Sequence, residues 1–111
     1  MGNKIKTTYR LPNELRLKML SVVAENYGKK KKSQWINDAI KQLIETDLTL
    51  SSVGLGEHYD IQDRTDVLLI DESTLLLLES AMLKVRRQDP LYQGVQSAII
   101  RAAIRKKLDI T

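Results

Sequence analysis

Residues 4–12 read Lys-Ile-Lys-Thr-Thr-Tyr-Arg-Leu-Pro, and this stretch decides the architecture. Its even positions, Lys4, Lys6, Thr8 and Arg10, are polar, and four of its odd positions are Ile5, Thr7, Tyr9 and Leu11. A β-strand sends successive side chains to opposite faces, so the pattern predicts a strand with one apolar face and one cationic, hydrogen-bonding face. Ile5, Tyr9 and Leu11 are expected to point inward. Pro12 stops the strand, and a helical period follows at once. One strand is not stable alone in water, so this one requires a partner. A two-stranded ribbon with Lys, Thr and Arg on its outer face has the shape of a DNA major-groove insert.

Working outward, residues 13–27 predict a helix with Leu15, Met19, Val22 and Val23 at helical spacing and Leu20 and Ala24 broadening the stripe. Gly28 suits its end, and Lys29, Lys30, Lys31 and Lys32 form a turn. Ser33 is a candidate N-cap, although the cap can equally fall two or three residues earlier. A second helix runs to about Glu45, with Ile36, Ala39, Ile40, Leu43 and Ile44 inward. Residues 46–62 hold Ser51, Ser52, Gly54 and Gly56 without a sustained helical period, and read as a connector. Fully extended, it spans roughly 50 Å at about 3.3 Å per residue.

The remainder repeats the plan. Residues 65–70 have strand composition, and Asp71 can cap a helix bearing Leu75, Leu78, Met82 and Val85. Asp89 and Pro90 break it, and a last helix carries Val95, Ala98, Ile99, Ala102 and Ala103. A constant offset of 59, with no gap, places Leu11 on Ile70, Met19 on Leu78, Val23 on Met82, Ile36 on Val95 and Ile40 on Ile99.

Composition sets outer bounds. The chain has 111 residues, a net charge of +4 and no cysteine, which excludes disulfide scaffolds and Cys-based zinc sites. With 29% charged and 42% hydrophobic residues it matches a folded domain rather than a disordered chain. Its longest apolar run, residues 75–78, is too short to cross a bilayer, so a cytoplasmic protein with no membrane partner is expected. The positive charge is uneven: residues 1–45 hold ten Lys/Arg against four Asp/Glu, and residues 46–62 hold three acids and no Lys or Arg.

A short strand ending Arg10-Leu11-Pro12, a helix ending near Gly28, a polar turn and a second apolar helix resemble a ribbon-helix-helix unit, the superfamily of the Arc, MetJ and CopG repressors. The resemblance covers residues 4–45 well and residues 63–108 weakly but in register. It implies a mainly α fold with a two-stranded antiparallel ribbon, in a tandem β-α-α-β-α-α arrangement. The domains are then repeat 1 at 1–45, the connector at 46–62 and repeat 2 at 63–111, sharing one core. Such a unit alone buries too little apolar surface to fold, so family members are obligate dimers. Two units in one chain suggest an intramolecular pseudo-dimer, similar to TraY-type relaxosome accessory proteins of conjugative plasmids. Pairing of each half with a second chain is the alternative, and both single molecules and several lined up on DNA fit the pattern.

On the family pattern, base readers are the outward strand residues Lys6, Thr8 and Arg10, with Lys4 at the margin. At the offset of 59 the second strand presents Thr65, Val67 and Leu69, of which Thr65 and Val67 are expected to reach bases. A ribbon with one cationic and one apolar strand does not suit a palindrome, and a register shift of one would exchange its faces. The family geometry aims the second helix's N-terminus at the DNA backbone, which makes Lys30, Lys31, Lys32 and Ser33 phosphate-clamp candidates. The expected partner is double-stranded DNA, bound sequence-specifically by a transcriptional repressor or a plasmid transfer or maintenance accessory protein. The competing expectation is a protein-interaction module, antitoxin-like or a relaxosome partner, that binds a relaxase or toxin and little DNA.

Other residues carry less. His58, the only histidine, reads as a loop residue rather than a metal ligand, and Trp35 as a core or rim anchor. Most of the leucine tract 75–78 is expected in the core, with one or two residues left over for a partner surface. No nucleophile, base and orienting group can be assembled, so neither an enzyme nor a cofactor is expected.

Overall fold

The computed structural model describes residues 3–28, 30–55, 57, 61 and 64–108. The order of elements is β1 (Lys4–Leu11), α1 (Asn13–Asn26), α2 (Lys32–Thr46), β2 (Arg64–Asp71), α3 (Glu72–Gln88) and α4 (Val95–Lys107). β1 and β2 form one antiparallel two-stranded sheet. Thr8 faces Val67, the residue 59 positions later, so the offset read in the sequence and the strand register share one local two-fold axis. Lys6 faces Leu69 and Arg10 faces Thr65.

Each element follows from local chemistry. Pro12 occupies the N-cap of α1 with extended angles, φ −65 and ψ 143, where its missing N–H costs nothing. The helix ends where the N–H groups of Tyr27 and Gly28 both donate to the Val23 carbonyl at 2.9 Å. Gly28 has φ +101, a left-handed turn that glycine makes without Cβ strain. The N-cap of α2 is Lys31, not Ser33, because Ser33 lies inside the first turn and its hydroxyl is used elsewhere. The last turns of α3 and α4 carry Arg86 and Arg87, and Arg105, Lys106 and Lys107, which complement the negative helix ends.

One apolar cluster holds both halves together. It joins Tyr9 and Leu11 of β1, Leu68 and Ile70 of β2, Met19 of α1, Trp35, Ile36 and Ile40 of α2, Leu78 of α3, and Ile99, Ile100 and Ile104 of α4. Trp35 is thus a core residue. A radius of gyration of 13.2 Å matches about 13 Å for one domain of this length. α4 is buried over most of its length, with eight buried positions from Val95 to Ile104. Among the described residues, no helix is long and apolar enough to cross a membrane.

One sequence expectation needs correction. The gapless offset fails after the first helix of each half, because α3 has 17 residues against 14 for α1 and the following turn is also longer. By α4 the equivalent positions lie 64 apart: Ser97 and Ser33 each accept from a strand N–H, and Arg101 and Asn37 each donate to the carbonyl of the same strand residue, at equivalent places on the two ribbon edges. In the leucine tract Leu78 is buried and Leu75 partly so, while Leu76 at 61% and Leu77 at 38% exposure are the two left over, within the expected number. Four consecutive residues cover more than a full helical turn, so one face cannot take them all. Ile5 lies on the inward side but at the end of the ribbon, and stays 38% exposed, unlike Tyr9 and Leu11.

Both strands of a two-stranded sheet are edge strands, whose outward N–H and C=O groups need partners. α2 covers the β2 edge: Asn37 Nδ2 donates to the Leu69 carbonyl at 3.0 Å and Asn37 Oδ1 accepts from the Asp71 N–H at 2.9 Å. Asn37 is buried, so Asn37→Ala strands these groups and is expected to cost about 2–3 kcal/mol in urea unfolding.

Candidate nucleic-acid interface

The face of the ribbon turned away from the helices is built from alternate residues of both strands. Lys4, Lys6, Thr8 and Arg10 of β1 and Thr65, Val67 and Leu69 of β2 are all exposed there, in the orientation that alternation predicts. Lys4 Nζ lies 3.9 Å from Asp71 Oδ1 across the ribbon, a solvent-exposed pair of small energetic weight. Lys6 makes no ion pair among the described residues and stands in the middle of the cationic strand.

Beneath that face lies a polar cluster. Tyr9 and Asp66 are cross-strand partners, and the Tyr9 hydroxyl donates to Asp66 Oδ2 at 2.8 Å. Lys32 Nζ reaches from the start of α2 to Asp66 Oδ1 at 2.7 Å. Burial on its own would raise the Asp66 carboxyl, but the bonds from Lys32 and Tyr9 outweigh it and hold the group below the usual carboxylate range. Tyr9 moves the other way: burial first, then the adjacent Asp66 charge, push its hydroxyl far above the ordinary tyrosine value. Lys32 is therefore tied into the ribbon's underside, whereas Lys30 and Lys31 stand exposed in the turn.

The N-terminal turns of α2 and α4 dock against opposite edges of the ribbon. Ser33 Oγ accepts from the Leu69 N–H and Ser97 Oγ from the Arg10 N–H, each at 3.0 Å. Gln96 Nε2 donates to Thr7 Oγ1 at 2.9 Å and to the Thr8 carbonyl at 3.1 Å, and Arg101 Nη1 donates to the Arg10 carbonyl at 2.8 Å. Neither helix has a side-chain cap or an acidic residue in its first turn. The α4 N-cap is Gly94 at φ +65, a conformation a side chain would strain. Two positive helix ends therefore flank the ribbon, on its two sides.

The connector is more than a spacer. Leu50 enters the core, and Asp47 accepts from the backbone and hydroxyl groups of Ser51 and Ser52. Glu57 forms a two-pronged pair with Arg101, Nε to Oε2 at 2.9 Å and Nη2 to Oε1 at 3.2 Å, and also accepts from Arg105 Nη1. Arg101 thereby links the connector to the β1 backbone beside Arg10. His58 and Lys29 lie outside the described residues. Among the described residues no group of acids, histidines or cysteines is placed to hold a metal ion.

The sequence reading found the ribbon face and the lysine turn. It missed Asp66, Asn37, Gln96, Ser97, Glu57 and Arg101, which hold that face in place. A usable signal existed for two of them: Asn37 and Arg101 interrupt otherwise apolar helical stripes. No protein-family model, curated protein or solved structure matches the chain.

Proposed function

We propose that this chain is a tandem ribbon-helix-helix protein that binds double-stranded DNA, its two halves acting as an intramolecular pseudo-dimer. One observation carries the reading. A ribbon face bearing Lys4, Lys6, Thr8 and Arg10 is flanked on both edges by uncapped helix N-termini without acidic residues. Lys6 and Arg10 have the donors for guanine O6 and N7, and Thr8 and Thr65 can bond a base edge. Lys30 and Lys31, with the first N–H groups of α2 and α4, suit flanking phosphates. Lys32, held by Asp66, supports the ribbon rather than contributing a mobile clamp. Transcriptional repression and a plasmid-transfer accessory role are both consistent with such binding.

The test begins with duplexes enriched from a random pool, titrated at several salt concentrations. Log affinity should fall with log salt by about 0.9 per phosphate neutralised, and a flat response would overturn the proposal. Lys6→Ala with Arg10→Ala should erase discrimination between enriched and random duplexes, a loss of about five-fold or more per guanine contact. Lys30→Ala with Lys31→Ala should instead weaken every duplex alike and reduce the salt slope by about two.

A second reading rests on α3, where Leu76, Leu77 and Leu83 are exposed together with Val67 and Leu69 of β2. It makes the chain a protein-interaction module for a relaxase or toxin. Salt-insensitive or absent duplex binding, with a stoichiometric complex lost in Leu76→Arg, would favour it.

A further inference from the structure

Resting on the DNA-binding reading above, we infer that the ribbon recognises a non-palindromic duplex, with thymine methyl groups beneath Val67 and Leu69 and guanine beneath Lys6 and Arg10. The argument starts from the local two-fold axis at the Thr8–Val67 pair. Under that axis Lys6 is equivalent to Thr65, and Arg10 to Leu69. The strand pairing then sets Lys6 beside Leu69 at one end of the face and Arg10 beside Thr65 at the other. The cations all come from β1, Lys4 and Lys6 at one end and Arg10 at the other, but the neighbours differ: Lys6 lies beside an apolar side chain and Arg10 beside a hydroxyl. The two ends of the face therefore present different chemistry to the groove.

Val67 and Leu69 are 39% and 44% exposed on this face. They are alternate residues of one strand, about 6.7 Å apart, close to two base steps of about 3.4 Å. The major groove contains one apolar group, the thymine methyl, and otherwise presents hydrogen-bond donors and acceptors. An isobutyl or isopropyl group pressed against a cytosine amine would desolvate it without offering a partner. Against thymine the same side chain buries a methyl group, so the apolar strand selects by both gain and penalty. Lys6, opposite Leu69, places an ammonium group beside this apolar patch. That end should therefore favour guanine and thymine in close succession.

The experiment uses the highest-affinity duplex from the random pool, with each thymine replaced in turn by deoxyuridine, which removes the methyl group and keeps the pairing. At one or two positions on the β2 side affinity should fall about four-fold per methyl. Val67→Ala and Leu69→Ala should each abolish the sensitivity at one of these positions while circular dichroism and salt-dependent binding persist. Two symmetrised duplexes, each built from one half of the site repeated in inverted orientation, should both bind at least five-fold more weakly than the natural asymmetric order. Salt-sensitive binding that ignores deoxyuridine, or that prefers a symmetrised site, overturns this inference and leaves the DNA-binding reading standing. Absence of salt-sensitive duplex binding overturns the DNA-binding reading itself.

Discussion

Asp66→Ala should lower folding stability by about 3 kcal/mol or more, the largest single effect expected at the ribbon. The carboxylate side chain is 11% exposed and accepts both the Tyr9 hydroxyl and the Lys32 ammonium, itself 25% exposed. Removing it leaves a partly desolvated ammonium group and a buried phenol without their acceptor. Deleting one partner of a buried pair costs more than the pair contributes, because the other charge stays behind. Tyr9→Phe removes one hydrogen bond and should cost about 1 kcal/mol. Urea unfolding of Asp66→Ala, Lys32→Met and the double variant checks the mechanism. The double variant should recover part of the loss, since it strands no charge. An Asp66→Ala chain within 1 kcal/mol of the parent would show that the cluster is not holding the strands.

Glu57→Ala is expected to cost a comparable amount, about 3 kcal/mol, through a different contact. The side chains of Glu57, Arg101 and Arg105 are 9%, 10% and 17% exposed, so two guanidinium groups lose their counter-charge together. Arg101 keeps its bond to the Arg10 carbonyl, but among the described residues Glu57 is its one ion-pair partner. The pH dependence has a definite sign. Burial alone would raise the Glu57 carboxyl, yet the hydrogen bonds from Arg101 and Arg105 hold it below its ordinary 4.5. Asp66 likewise sits below 3.8. For both groups the unfolded chain binds protons more readily than the folded one. Their stabilisation is complete above these ordinary values and disappears as the pH falls through the lowered ones. Acid unfolding of the parent should therefore steepen below about pH 4.5, and Glu57→Ala should unfold with a shallower acid limb.

The parts of this fold that rest on local periodicity were legible in the chain. Alternation over residues 4–11 located β1 and its outward residues, and the offset of 59 carried that face onto Thr65, Val67 and Leu69 of β2. Stripes at helical spacing located Met19 and Val23, and Ile36 and Ile40. What escaped depends on contacts between distant positions. Lys32 looks like the fourth of four equivalent lysines until β2 brings Asp66 beside it, 34 residues later. Glu57 looks like a loop acid until α4 supplies Arg101, 44 residues away. The drift between halves was hidden differently. Ser-Gln-Trp-Ile-Asn-Asp-Ala-Ile from residue 33 and Ser-Ala-Ile-Ile-Arg-Ala-Ala-Ile from residue 97 share four identical positions, but a gapless comparison never aligns them.

Because β1 and β2 belong to one polypeptide, each side of the ribbon is encoded separately. In an assembly of two identical chains, any codon change is expressed on both sides of the symmetry axis, and a harmful alteration is felt twice. Here position 6 can hold lysine while its counterpart, position 65, holds threonine, and either can drift without dragging the other along. The covalent link thus leaves two independently adjustable strands, joined by a connector that is itself anchored through Leu50 and Glu57.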